Sequence, residues 1–331
     1  MNVRVAKAAP VYFLVHTAAT MDIEAYKALG LEQNYPSMQP VNDRSNMELI
    51  DALDTPEDAR YQPCAESVEN PEVPQGRIEH ILSWSDTSIY DGTYREIAIY
   101  VPTQIDSDTN LMIFNDGLGY ADPKGPVRAT RVLDKLIHDA VIKPTIGVFV
   151  MPGRLNVGPT PADPTEVNPA DMDQRSFEYD SLTPIYGNFL IDELLPFVEQ
   201  KIGMRLPGEA SQRAICGISS GGIAAFNAAW HHPDKFGVVV SHCGSFVNIR
   251  GGHNYPYLVR STPRKDLRVF LTSGAGDGNI IFGSWPLANQ QMAAALEYAG
   301  YDFHFEFGQG CHSLRHGGSL FAETLRWMWS I

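Results

Sequence analysis

Apolar positions in this chain fall into short runs that alternate with longer periodic stretches, and the alternation begins only after an irregular first quarter. "RIEHILSW" and "YREIAIYVP", on either side of Asp91-Gly92, predict two antiparallel strands. "NLMIFNDG" is nearly continuous in apolar residues and suits a strand buried on both faces. Further strand-like runs follow at "TIGVFVMP", "RAICGIS", "FGVVVSHCG", "LRVFLTSG" and "YDFHFEFG". Between them lie helical patterns, "VRATRVLDKLIHDA", "IYGNFLIDELLPFVEQKIG", "GGIAAFNAAWHH", "WPLANQQMAAALEYAG" and "SLFAETLRWMW". In the fourth of these, Met292, Ala295, Leu296 and Ala299 share one helical face. Strands alternating with helices of this length predict an α/β sandwich: a mostly parallel sheet covered on both sides, with antiparallel strands at its beginning.

Residues 1–75 mix short apolar pieces with Pro, Asn, Asp and Glu, which predicts an irregular extension with one or two short helices. It is read as a cover for the active site or a contact in a homodimer, and residues 76–331 as the catalytic domain. Two connections are long and rich in Gly, Pro or Asp: "PGRLNVGPTPADPTEVNPADMDQ" and "GSFVNIRGGHNYPYLVRSTPRKD". Both leave carboxyl ends of strands, where open α/β sheets bind ligands, so both are expected to wall a pocket.

The bulk numbers narrow the function classes. The chain has 331 residues with 39 acidic and 25 basic side chains, a formal charge of -14. Such a surface repels phosphate backbones and anionic lipid, which argues against nucleic-acid and membrane-surface roles. No apolar stretch approaches the roughly 18 to 20 residues of a membrane span. "MNVRVAKAAPVYFLVHTAAT" makes a poor signal peptide because Pro10 and His16 interrupt its apolar run, and a cytoplasmic location is favoured over a secreted one. Cys64, Cys216, Cys243 and Cys311 are too irregularly spaced for a disulfide framework or a zinc site, and are read as free thiols.

Chemistry concentrates at "CGISSGG". Ser219 stands between Gly217 and Gly221 where a buried strand runs straight into a helix. In that context the glycines let strand and helix approach, and the serine is held exposed on a strained turn. A serine hydroxyl needs a base to take its proton and an acid to orient that base. Chain order supplies Asp277, just past the strand "VFLTSG", and His312, just past the last strand. Asp277 also suits a turn cap, Glu306 is the rival acid, and His316 is the rival base or a substrate contact. His231 and His232 close a helix and read as structural, while His242 and His253 lie near strand ends. The oxyanion would meet the backbone N–H of Ser220 and a second donor, Gly117 or Leu118, from the loop "NDGLGY".

Taken together, "NDGLGY", "RSFEYD", "FLIDELLPFVE", "GISSGG", "SHCGSF", "GAGDGN" and "GQGCHS" before a Trp-rich final helix resemble the enterochelin-esterase-like or esterase-D-like branch of the α/β-hydrolases over residues 77–331. The resemblance implies the three-layer α/β-hydrolase fold. It also implies serine esterase or acyltransferase chemistry without metal or organic cofactor, with Ser219 as nucleophile, His312 as base and Asp277 as acid. A small-molecule ester is the implied partner, of aryl, siderophore-like or carbohydrate-linked type. An acyltransferase using the same acyl-enzyme is the alternative, and a non-catalytic binding protein on this scaffold is a third reading. In "RSFEYD", Arg175 and Glu178 match a position that looks like an internal ion pair, or else Arg175 touches substrate. The long loops offer mainly Arg154, Arg250 and Arg260 as basic groups, few for an anionic trilactone. Tyr120, Phe246, Tyr255, Tyr257 and Trp285 are the aromatic candidates for the pocket wall, with Trp285 placed to stack on a ring. Cys311 adjoins His312 without the geometry of a nucleophile.

Overall fold

The structure, a computed structural model, describes residues 56–106, 108–155 and 167–329. The signal-like segment and most of the extension lie outside these residues, and so does much of the first long loop. The strands are β1 (Arg77–Trp84), β2 (Arg95–Val101), β3 (Asn110–Asn115), β4 (Thr145–Val150), β5 (Arg213–Ile218), β6 (Val238–His242), β7 (Arg268–Gly274), the short pair β8 (Asn279–Ile280) and β9 (Gly283–Ser284), and β10 (Asp302–Gly308). Eight of them form one sheet in the order β1-β2-β4-β3-β5-β6-β7-β10. β1–β2 and β2–β4 pair antiparallel and every other neighbour pairs parallel.

Period-two alternation along the central strands divides the core in two. Ile97, Ile99, Leu111, Ile113, Ile215, Val239 and Leu271 face one layer of helices. Ala98, Tyr100, Met112, Phe114, Cys216, Val240 and Phe270 face the other. Both sides being covered is why these segments read as unbroken apolar runs. The helices are α1 (Gly117–Ala121), α2 (Ala129–His138), α3 (Pro169–Asp180), α4 (Ile185–Phe189), α5 (Leu195–Ile202), α6 (Ser220–His231), α7 (Tyr255–Ser261), α8 (Trp285–Tyr298), α9 (Leu314–Ser319) and α10 (Phe321–Trp329). No helix among the described residues is long and apolar enough to cross a membrane.

The helices differ from the sequence reading most clearly at three places. The single helix expected over "IYGNFLIDELLPFVEQKIG" is divided by a wide π turn, Leu190–Leu194. Pro196 follows in the first turn of α5, and the wider turn accommodates a residue with no N–H whose ring would crowd the carbonyl four residues back. α3 occupies the end of the first long connection, where a loop was expected. Asn168 caps it by accepting from the Ala170 N–H at 2.9 Å, and Pro169 opens it. Its buried face carries Asp171, Arg175, Glu178 and Asp180, so no apolar stripe marked it. α7 likewise lies inside the second long connection.

Candidate active site

Three adjacent strands, β3, β5 and β6, end in a residue of positive φ: Asp116 at 52°, Ser219 at 58° and Cys243 at 47°. Each bends the chain sharply away at the carboxyl edge of the sheet. Such conformations cost a non-glycine residue about 1–3 kcal/mol and persist only where surroundings enforce them. Around Ser219 the enforcement is backbone against backbone: a Cβ on Gly217 would come within 2.2 Å of the Gly221 carbonyl oxygen. A Cβ on Gly221 would meet Asp116 Oδ2 at 2.8 Å, and one on Gly222 the Ser241 hydroxyl at 2.7 Å. The Ser219 N–H donates to the His242 carbonyl at 2.9 Å, which ties the turn to β6.

The structure brings Ser219, His312 and Asp277 into one hydrogen-bonded chain. Ser219 Oγ lies 2.9 Å from His312 Nε2, and His312 Nδ1 lies 2.6 Å from Asp277 Oδ1. The Asp277 carboxylate also accepts from the Gly278 N–H at 2.6 Å and from the Ser273 hydroxyl at 3.2 Å. All three side chains are buried. The rival acid Glu306 instead meets His304 Nε2 at 2.5 Å on β10. The rival base His316 is buried and stacks on Tyr61, ring centroids 4.4 Å apart.

Behind the serine sits Ser245, in "SHCGSF", which no feature of the sequence singles out. Ser245 Oγ is 3.2 Å from Ser219 Oγ, and Trp285 Nε1 is 3.3 Å from Ser245 Oγ. An indole N–H can only donate. Ser245 therefore accepts from Trp285 and gives its own proton to Ser219 Oγ when Ser219 donates to His312. Every proton in the row then points toward Asp277. Trp285 also sets its ring edge against the imidazole, centroids 5.5 Å apart. It is fully buried, as Ser219 is, and it meets Ser245 and His312 from within the protein rather than presenting an open face.

α1 and α6 both begin at this edge. Their first amides have no acceptor within their own helices, which leaves Gly117, Leu118 and Ser220 N–H groups at two converging helix starts. Asn115 holds the starts together: Nδ2 donates to the Gly221 carbonyl at 2.9 Å, and Oδ1 accepts from the Tyr186 hydroxyl at 2.6 Å. Gly117 is required because a Cβ there would lie 2.4 Å from Phe149 Cα. Arg175 clamps Asp116 with two bonds, Nε to Oδ1 at 2.9 Å and Nη2 to Oδ2 at 2.7 Å. Asp180 lies beneath, near Arg175, Arg250 and the Ser220 and Ser176 hydroxyls; burial pushes its carboxyl up against the pull of the two guanidinium groups.

The expected Arg175–Glu178 pair is therefore corrected. Glu178 binds Arg95 bidentately at 2.8 and 3.1 Å, both side chains wholly buried, while Arg175 reaches Asp116. The two residues are three apart on α3 yet reach different partners, Arg95 on β2 and Asp116 just past the end of β3. Tyr120 and Phe246 are corrected as well. Each is buried in the core, the Tyr120 hydroxyl sharing a hydrogen bond with His242 Nδ1 at 3.0 Å and Phe246 packing edge-on against Phe226. Tyr255 joins the same core cluster, and Tyr257 is exposed on α7. Of the loop arginines, Arg250 donates to the Ser176 hydroxyl at 3.2 Å and Arg260 to the Ala294 carbonyl at 3.1 Å.

Cys243 brings a thiol close to the pair, with its Sγ, an Asp277 oxygen and a His312 nitrogen within 4.8 Å of one another. Burial, and then the neighbouring carboxylate, push this thiol well above its ordinary range. It is a neutral donor there, a poor metal ligand in that state. Cys311 and Cys216 are both buried thiols outside any disulfide.

Residues 90–328 match the Esterase family, described as "Putative esterase". Among solved structures, the enterobactin esterase of Shigella flexneri, determined in the presence of 2,3-di-hydroxy-N-benzoyl-glycine, is similar at 21% identity and a TM-score of 0.61, over 81% of this chain and 62% of that one. A ferulic acid esterase from the anaerobic fungus Anaeromyces mucronatus, in complex with ferulic acid, is similar at 13% identity and a TM-score of 0.56, over 80% of this chain and 94% of that one. The chain thus spans about 62% of the length of the enterobactin esterase. At these identities the likeness is one of fold.

Proposed function

We propose, from the premise that the chain belongs to the esterase family, that it hydrolyses carboxylic esters of small molecules through an acyl-enzyme on Ser219. The observation that carries the reading is the row Ser219–His312–Asp277, with links of 2.9 and 2.6 Å, at the turn between β5 and α6. His312 Nε2 takes the proton as Ser219 Oγ attacks the carbonyl carbon. The negative charge on the former carbonyl oxygen is met by the Ser220 N–H and by Gly117 or Leu118. As the carbon–oxygen bond to the alcohol breaks, the leaving group takes the proton from His312. Water then attacks the acyl carbon with His312 again as base, releasing the acid and restoring Ser219. Asp277 keeps the Nδ1 proton in place and stabilises the imidazolium.

The substrate class proposed is an aryl, siderophore-like or carbohydrate-linked ester. Similar structures named for enterobactin and for ferulic acid make those two ester classes the first to try. The catalytic unit is taken as residues 76–331. Ser219→Ala is expected to abolish turnover of a p-nitrophenyl ester and labelling by a fluorophosphonate, with an unchanged circular dichroism spectrum. Retained turnover in that variant would end the proposal.

A further inference from the structure

The loop that carries His312 is held from a distance. It leaves β10 as Gly308-Gln309-Gly310-Cys311-His312-Ser313; Ala275 and Cys243 donate to its Gly308 and Cys311 carbonyls, while its Gln309 and Cys311 N–H groups are met by the extension before β1, outside the family match. Asp58 is buried in a short 3-10 turn, Asp58–Arg60. Its Oδ1 accepts the Cys311 N–H at 3.0 Å, and its Oδ2 accepts the Ser313 hydroxyl at 2.7 Å. Arg315 Nε stands 3.5 Å from the same oxygen. Tyr61 adds a third bond, its hydroxyl accepting the Gln309 N–H at 2.8 Å, while its ring stacks on His316.

One carboxylate thus fixes the residues immediately before and after His312. The approach is close: a Cβ on Gly308 would fall 2.1 Å from the Tyr61 hydroxyl, and one on Gly310 would sit tightly, 3.3 Å from Asp58 Oδ1. On its other side the loop backs onto the acid strand, where a Cβ on Gly274 would lie 2.2 Å from the Gly310 carbonyl oxygen. Held between the end of β7 and the extension, the loop has little room to shift the imidazole.

We propose that Asp58 and Tyr61 are positioning residues for His312, so that the extension completes the active site. The inference rests on the esterase reading above. Catalysis by an oriented base falls steeply with displacement, up to about 100-fold for a shift near 1 Å. Asp58 is the stronger element because it holds both flanks of the histidine.

The test uses the full chain and steady-state hydrolysis of a p-nitrophenyl ester. Asp58→Ala is expected to lower kcat at least about tenfold with KM nearly unchanged. Asp58→Asn, which keeps an acceptor for the Cys311 N–H, should recover part of that loss, and Tyr61→Phe should cost about threefold. Glu66→Ala is the structural control. It cuts the 2.5 Å ion pair to Arg326 that fastens the same extension away from the loop, and should lower melting temperature without lowering kcat. The downfield Nδ1 proton of His312 should broaden in Asp58→Ala and stay sharp in Glu66→Ala. Wild-type kcat in folded Asp58→Ala and in Tyr61→Phe, or a kcat loss in Glu66→Ala matching that in Asp58→Ala, would overturn the inference. Should Ser219→Ala be inactive while the Asp58 variants turn over normally, only the positioning role fails. Activity in Ser219→Ala would remove the esterase reading itself.

Discussion

The turn bearing Ser219 and the loop bearing His312 are two solutions to one problem, holding a side chain within a fraction of an ångström. The first is built locally. A Cβ on Gly217 would press on the backbone of Gly221, and a bond from the Ser219 N–H to β6 completes the constraint, so a few consecutive residues and one neighbouring strand suffice. The second is built remotely. Its backbone donors are met by Asp58 and Tyr61, about 250 residues earlier in the chain; the separations are 253 from Asp58 to Cys311 and 248 from Tyr61 to Gln309. Local construction resists loss of any distant part and fails entirely when its own backbone contact is violated. Remote construction should degrade by degrees.

The largest effect should come from breaking the local case. Gly217→Ala drives a methyl group against the Gly221 carbonyl with no flexible side chain to yield. It is expected to destabilise the fold by about 3 kcal/mol or more and to remove ester turnover altogether. Urea denaturation with activity measured on the same preparation checks this. A folded, active Gly217→Ala enzyme would mean that the turn is not locally enforced.

This contrast also governs what could be read from the sequence. Strands and most helices were legible because both faces of the sheet are buried and the helices carry apolar stripes. The serine turn was legible for the same local reason, and chain order pointed to Asp277 and His312; the structure brings His312 within hydrogen-bond reach of both Asp277 and Ser219. α3 was not legible, since its inner face holds Arg175, Glu178 and Asp180, whose partners lie on β2, just past β3 and on α6. Asp58 and Tyr61 carried no signal because nothing in "PEDARYQP" states which loop will return to meet it. Tyr120 and Phe246 misled in the opposite sense: each follows the end of a strand, where a pocket opens, but each turns back into the core.

An intermediate effect is expected where the two regions meet. His242 holds the Ser219 N–H through its carbonyl, and its ring lies against Gly317, just after the histidine loop. Burial, with His316 beside it, pushes the imidazole down to about 3 from its ordinary 6.5. Between those values the unfolded chain binds a proton that the folded chain refuses, so the unfolded state holds more protons and stability rises with pH. This contribution is complete above about pH 6.5 and is lost as pH falls toward 3. His242→Gln keeps an acceptor for Tyr120 and removes the titration. Its unfolding free energy should lose roughly 1.4 kcal/mol of slope per pH unit between about pH 4 and 6 relative to the parent. Parallel curves from the two proteins would show that His242 does not couple the regions through its burial.

The smallest effect probes how completely the serine turn positions its own side chain. Backbone enforcement fixes the Cα–Cβ direction of Ser219 and leaves rotation of Oγ, which the Ser245 hydroxyl at 3.2 Å restrains together with His312 Nε2 at 2.9 Å. Removing it in Ser245→Ala also strands the Trp285 N–H, which has only that oxygen 3.3 Å away. A neutral hydrogen bond contributes about 0.5–1.5 kcal/mol net, and some of that restraint persists through His312, so kcat should fall roughly threefold with KM unchanged. Trp285→Phe should fall less, because Ser245 then keeps its contact with Ser219. The order of the two variants matters more than their size. A loss in Ser245→Ala as large as that in Asp58→Ala would mean that the nucleophile, like the base, depends on a partner outside its own turn, and the distinction between local and remote construction would dissolve.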